Sequence, residues 1–365
     1  MGGIRQAGQH SSAVERRVSF RARGVGAARL TIGTLAFVSA PARADDVADF
    51  YRDHPVNLIL STGEGGGYAS YAQAFAPYFS KHMPGNPRVV IQNMPGAGGI
   101  RAMLHFASAA PRDGATIGFV HSGVPFAPLF GVKGAAFDAK AMNYIGAMSR
   151  AASVCSAWAT SGVATWNDLL TKEFIVGSSG AGSQMETHPA ALNRFFGTHI
   201  KIISGYKGGN DIYLAMERGE VQGRCGSPYS SIELSRPGWV TTGKVKIPIQ
   251  FAMRRDPAIP DSPTVMELAP NDAVRATLEL IMAPQEMNRP WLAPRDVPPA
   301  RLAALRAAFH AGMNDPGFVA EAARLGLEIE ETSGEEVAGV VARAYAMPDD
   351  IVRAAKDAMN LTGAE

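Results

Sequence analysis

A chain of 365 residues, 46% hydrophobic and 19% charged, can bury a sizeable core, and its length allows two domains of ordinary size. Residues 1–44 carry seven arginines and one acid; without them 28 basic and 32 acidic residues remain, a formal charge of −4. A mildly acidic body with no long basic run excludes nucleic acid as a partner, because such binding needs clustered Lys and Arg to displace counterions.

Residues 1–44 read as a secretory signal peptide. An Arg-rich segment precedes the apolar stretch 30–38, and Ala42-Arg43-Ala44 supplies a small-x-small site before Asp45-Asp46. The stretch is too short for a bilayer, which needs about 20 residues; a retained anchor or an unstructured tail is the alternative. Cleavage after Ala44 and a periplasmic location are expected. No later apolar run reaches transmembrane length. Cys155 and Cys225 follow in the body of the chain. An oxidising compartment permits a disulfide, whereas two separately buried thiols are the reading that the sequence favours. Neither cysteine has CxxC spacing or a nearby His, so no metal site is expected.

From Asp45 onward short β-like runs alternate with amphipathic helices, the pattern of helices layered on a largely parallel sheet. The first unit is a strand at 56–61, a Gly-rich loop at 62–67 and a helix over 68–82, with Tyr71, Phe75, Tyr78 and Phe79 at helical spacing. A strand at 88–92, the loop 93–99 and a helix to about 109 come next, then a strand at 115–120 running into His121-Ser122-Gly123. Beyond residue 150 the pattern resumes. A strand at 174–178, the loop 179–183 and a helix over 184–196 precede a strand at 201–206, a turn at 207–209 and a helix over 210–218. A strand at 220–225 ends at Gly226-Ser227-Pro228. The remainder is Pro-rich, with helices expected over 299–313, 316–325, 334–346 and 349–359.

Strand, Gly-rich loop and helix thus recur at 62–68, 93–99, 178–183 and 206–210. In an open α/β sheet such loops lie at the carboxyl ends of strands, where ligands bind. Each following helix presents unpaired N–H groups and the positive end of its dipole, and glycine lets the main chain approach a bound group closely. The chemistry implied is an anion site made mainly of backbone amides, with hydroxyls adding orientation and no dedicated cationic side chain. A single such loop is more often only a tight turn; four in one chain make the case. Tyr68 and Tyr206, at loop junctions, are candidates to reach into a cleft, while Phe75, Tyr78 and Phe79 fall at core spacing.

Enzyme motifs fail. The three Gly-x-Gly starts at Gly63, Gly96 and Gly180 reach Tyr68, Arg101 and Met185 where a dinucleotide fingerprint wants glycine. Ser178 and Ser179 do not sit in a GxSxG elbow. His121 and His188 read as hydrogen-bonded structural residues, and Glu186 as a helix-dipole partner or a contact for a ligand amine. No catalytic residue and no cofactor are expected. The rival from another class is a secreted hydrolase built on Ser179 or Ser183.

The chain resembles the extracytoplasmic solute receptors of tripartite tricarboxylate transporters, the Bug family. The residues that carry the likeness are Gly65-Gly66-Gly67-Tyr68, Asn93-Met94-Pro95-Gly96-Ala97-Gly98-Gly99, Ser179-Gly180-Ala181-Gly182-Ser183, Gly205-Tyr206-Lys207-Gly208-Gly209, Asp261-Ser262-Pro263-Thr264-Val265 and the 311–316 and 325–328 segments. The resemblance implies an α/β periplasmic-binding-protein fold, type II-like. Its two lobes are each a mostly parallel sheet flanked by helices, with a ligand cleft between them. The expected division is 45–149 plus about 253–365 for one lobe and 150–252 for the other, with hinges at 148–152 and 251–255. It implies a small carboxylate as ligand, a di- or tricarboxylate or an aromatic acid, held by loops matching 65–68, 122–123, 179–183 and 206–209. The candidate contacts are Gly66, Gly67, Tyr68, Gly96, Ala97, Ser122, Gly123, Ser179, Gly180, Ser183, Tyr206, Gly208, Gly209 and Ser227. Delivery of the ligand by a monomer to the membrane permease subunits of a tripartite transporter is implied; an input protein for a sensor is the alternative. Ala69, where many relatives carry Asp, and Gln184-Met185-Glu186 depart from the family pattern. The missing Asp argues against an amino-acid ligand.

Overall fold

The apolar run at 56–60 becomes β1 (Val56–Leu60), almost wholly buried, because it lies inside a sheet with helices on both faces. The computed structural model describes residues 44–359. The expected signal peptide therefore lies outside the described residues apart from Ala44, which opens the helix Ala44–Asp53. β1 pairs in parallel with β2 (Val89–Asn93) and β3 (Thr116–Phe119). The chain then forms β4 (Asn143–Ser149) and, after residues 150–152, enters a second sheet as β5 (Ser153–Trp158). That sheet is completed by β6 (Glu173–Ser178), β7 (His199–Ser204), β8 (Gly223–Pro228) and β9 (Val245–Phe251) in the order β7-β6-β8-β5-β9. The first sheet gains β10 (Asn288–Ala293) and the short β11 (Thr332–Ser333), giving β11-β4-β10-β3-β1-β2.

Both sheets are mixed. Neighbours run parallel where the Gly-rich loops arise, in β2-β1-β3 and β7-β6-β8, and antiparallel elsewhere. The cause is connectivity. Parallel neighbours need a helical crossover, whereas the chain passes between sheets by short links that leave β5 and β10 running against their neighbours.

One core surrounds Trp291 of β10, ringed by Phe75, Phe79, Phe119 and Phe309 at centroid distances of 5.3, 5.2, 5.6 and 5.6 Å. A second fills the other sheet with Phe174, Val176, Ile249 and Phe251. Val265, Met266, Leu278 and Met282 belong to that second core, and β9 accepts Thr264 as a bridge partner. Segment 264–282, expected with the first lobe, therefore packs on the second sheet, because its apolar face covers β9 and its neighbours. The chain passes from the first sheet to the second at 150–152 and returns at 283–288, so 251–255 is not a point of return. The last helix, Asp349–Met359, packs on the helices Gln184–Phe196 and Asp272–Met282.

Cys155 on β5 and Cys225 on β8 are joined by a disulfide, with Cα atoms 3.9 Å apart. This corrects the expectation of separate thiols. Antiparallel neighbours place facing positions within bonding reach, a closeness that 70 residues of separation conceal.

Helix ends divide into two kinds. Some helices away from the lobe interface close their N-termini with their own side chains, while others, such as Pro299–Met313, do not. Thr165 and Asp168 form a capping box for Trp166–Thr171, Ser333 and Glu336 another for Gly334–Tyr345, and Asp315 caps Pro316–Leu325. The helices Gly66–His82, Gln184–Phe196 and Gly209–Glu217, which follow the Gly-rich loops, have no side-chain cap.

Candidate functional site

The four loops meet. On one side Gly63 donates its N–H to the Lys207 carbonyl at 2.9 Å, joining loop 62–68 to loop 206–210. On the other, Gly98 donates to the Ser179 carbonyl at 2.8 Å, and a β-carbon on Gly180 would lie 3.1 Å from Ala97. Between them the Ser122 hydroxyl donates to Gln184 Oε1 at 3.1 Å, and the Ser122 N–H to the Tyr68 hydroxyl at 3.3 Å. Gly123 packs on Gly182 and Gln184, and Gly208 on Thr62 and Gly63.

These contacts enclose a cavity walled by Gly66, Gly67 and Tyr68 from the first lobe and by Gln184, Gly209 and Arg224 from the second. Its open interior is about 40 Å³, room for about three waters, so the lobes stand closed on one another. Three uncapped helix starts border it, at Gly66, Gln184 and Gly209. Their unpaired amides and dipoles set a positive potential where Coulomb interactions are strong.

The sequence marks Arg224 only as a strand residue, and its position corrects the expectation of a site without a cationic side chain. It is 8% exposed, its Nε has no hydrogen-bond partner, and no acid pairs with it among the described residues. It lies over the Tyr213 ring at 4.9 Å from the centroid. Arg289, 1% exposed, stands behind the cavity wall. It donates to Ser149 Oγ at 2.8 Å and to Ser231 Oγ at 3.0 Å, and its guanidinium stacks 3.8 Å above the Tyr71 ring. Ser231 and Asn288 line the cavity in front of it. The sequence signal for both is an arginine inside a buried strand, where a charge demands a partner.

Burial raises the Tyr68 phenol above its usual range against the opposing pull of Arg289, the Ser122 hydrogen bonds and Arg224. It stays a neutral hydroxyl at physiological pH, able to donate to an anion. His121, facing Tyr68 at a centroid distance of 4.9 Å, is pushed down to about 4, chiefly by burial and then by Arg224. Burial alone lowers His188 to about 3; its Nδ1 meets Ser153 Oγ at 2.8 Å and its ring stacks on Phe251 at 4.0 Å. Both imidazoles are neutral in the folded protein. Below their unfolded value of about 6.5 the unfolded chain takes up protons that the native state refuses, so this stability is complete above pH 6.5 and lost as pH falls toward 4. Denaturant unfolding at pH 7.5 and pH 5 checks this. His188→Asn is expected to flatten the decline, and an equally steep profile in that variant would refute the assignment.

Of the residues expected from the sequence, Gly66, Gly67, Tyr68 and Gly209 line the cavity. Ala97, Ser122, Gly123, Gly180 and Gly208 form the contacts between lobes beside it. Ser179 and Ser227 are buried with unpaired hydroxyls, and the Ser183 hydroxyl donates to the Gly180 carbonyl at 2.8 Å. Two stand elsewhere: Gly96 packs against the Arg101 side chain, and the Tyr206 ring against Gly177. Glu186 accepts from the Ser204 hydroxyl at 2.7 Å. Neither Ser179 nor Ser183 bonds a histidine; among the described residues the serine hydroxyl that meets an imidazole is that of Ser153, which is 1% exposed and absent from the cavity wall.

The sequence profile of the tripartite tricarboxylate transporter family receptor matches residues 79–356. The chain belongs to this receptor family. It is a receptor and not an enzyme. Solved structures align along nearly their whole length. The periplasmic binding protein BugD is 21% identical, with 84% of this chain and 98% of that chain covered and a TM-score of 0.67. MatC from Rhodopseudomonas palustris, with bound malate, is 19% identical (82% and 98% covered, TM-score 0.65). R. palustris Rpa4515, with adipate, is 18% identical (82% and 97%, TM-score 0.65). Together these likenesses establish the two-lobed α/β fold of the receptor. A direct comparison with curated proteins returns no match. Among the described residues of the receptor no helix is long and apolar enough to cross a membrane, and no group of three metal-ligating side chains is assembled.

Proposed function

We propose that this receptor is exported to the periplasm, captures a small organic carboxylate between its lobes and delivers it to the permease of a tripartite tricarboxylate transporter. The observation that carries the reading is the cavity itself. Uncapped helix starts from both lobes border one enclosed space, an arrangement suited to a small anion such as a carboxylate. The malate and adipate in the aligned structures are of this class. The candidate contacts in this reading are Gly66, Gly67, Tyr68 and Gly209, with Ser122, Ser179, Gly180, Ser183 and Ser227 close by.

Ligand touching both lobes binds the closed form more tightly than the open one and raises the closed population. The crossings at 150–152 and 283–288 are the hinge in this reading, and the closed surface is what the permease recognises. Calorimetric titration of the purified receptor with mono-, di- and tricarboxylates tests the proposal; a binding isotherm with at least one is expected, and silence across the panel would sink it. Sequencing the N-terminus of the protein recovered from the periplasm is expected to begin at Asp45.

A further inference from the structure

The cavity region holds two buried guanidinium groups without a counter-charge, which is more than a single carboxylate neutralises. Taking one ion out of water costs several kcal/mol even after relaxation, so buried arginines are normally found beside Asp or Glu. Here no acid forms an ion pair with Arg224 or Arg289 among the described residues. Arg289 is held by two hydroxyls and by the face of Tyr71, which fix its direction without cancelling its charge. Arg224 is held by shape. A β-carbon on Gly209 would lie 2.3 Å from Arg224 Nη1, so the guanidinium occupies the space which that missing side chain vacates. It lies flat over Tyr213 with its Nε unpaired, on the wall of the cavity.

We infer that Arg224 is the residue that anchors the ligand's charge and sets its specificity. With Arg289 as a second fixed charge behind the wall, it makes the receptor select compact dianions over monoanions. The inference rests on the receptor reading above and adds the charge of the ligand to it. One acid group meets Arg224, which has free donors for a bidentate contact. The other lies toward the first lobe, where the Tyr68 hydroxyl and the helix start at Gly66 face the field of Arg289. A monoanion leaves one buried charge uncompensated.

The experiment is calorimetric titration of the purified receptor with malonate and succinate, against acetate and butyrate as monoanions of similar size. The dianions are expected to bind about a hundredfold more tightly than the monoanions at pH 7.5. Arg224→Gln is expected to weaken the dianions about a hundredfold and to erase most of that preference. Gly209→Ala keeps the arginine but displaces its guanidinium, and is expected to weaken the dianions about tenfold. Thermal unfolding gives a readout of opposite sign. The unloaded Arg224→Gln protein should melt higher than the unaltered one, because an uncompensated buried charge is gone, while the upward shift on adding succinate shrinks. An unchanged ratio of dianion to monoanion affinity in both variants overturns the inference and leaves the receptor reading standing. Failure of every carboxylate to bind the unaltered protein overturns both.

Discussion

Replacing Gly98 by alanine is expected to weaken ligand capture ten- to a hundredfold while both lobes stay folded. Gly98 sits at φ 63° in the loop between β2 and the helix Ile100–Ser108. A β-carbon there would stand 2.5 Å from both the Gly180 carbonyl oxygen and the Ser183 nitrogen. These are backbone atoms of the opposite lobe, and they cannot rotate aside as a flexible side chain does. The left-handed backbone costs an alanine about 1–2 kcal/mol in the open and closed forms alike, so it reads out as stability. The overlap exists only when the lobes are shut. At about 1–3 kcal/mol for an overpacked contact, it acts on closure alone and appears as affinity. Calorimetry on Gly98→Ala, with small-angle scattering of the loaded protein, checks both halves. An unaltered Kd, or a closed profile at full strength, would show that the loops do not shut on the ligand as they meet in this structure.

Removing the disulfide with the pair Cys155→Ala and Cys225→Ala is expected to cost about 4 kcal/mol of stability. The bond closes a loop of 70 residues, and the entropy that such a link withholds from the unfolded chain is of this size. It joins β5, the first strand after the crossing at 150–152, to β8, which carries Arg224 next to Cys225. Urea unfolding of the double variant against the oxidised protein measures the difference. A loss below about 1 kcal/mol would mean that the surrounding core, with Phe174, Ile249 and Phe251, holds the two strands together unaided.

Much of this architecture is legible in the amino-acid sequence. The helices at 184–196, 299–313, 316–325 and 349–359 stand where apolar spacing and flanking Gly or Pro put them. The Gly-rich loops converge because a strand followed by a helix in parallel array has no other place for its carboxyl end. What escapes such reading includes β4, β5 and β9, and above all β10. Its residues Asn288-Arg289-Pro290-Trp291 break alternation and contain a proline, signals that argue against a central strand, yet all six positions are buried. Pro290 is tolerated because its carbonyl still accepts from Val120. Arg224 escapes for a related reason. Within Gly223–Pro228 it has glycines and a cysteine as neighbours, and only the fold reveals that Gly209 from another element leaves room for it. Residue spacing reports local conformation; a charge that depends on a gap left by a distant glycine is a property of the assembled chain. Segment 264–282 shows the same limit, since the sheet it covers is set by tertiary packing and leaves no trace in local spacing.

The contrast between self-capped and uncapped helices has an evolutionary consequence. Where Thr165, Ser333 and Asp315 finish their helices, the chain satisfies its own valences and folding tolerates little exchange. Around the cavity the helices start open, and in the proposed function a guest molecule completes them. On that reading, mutational drift in those loops would alter which guest fits without eroding the framework, so one scaffold could be retuned to a succession of nutrients as habitats change.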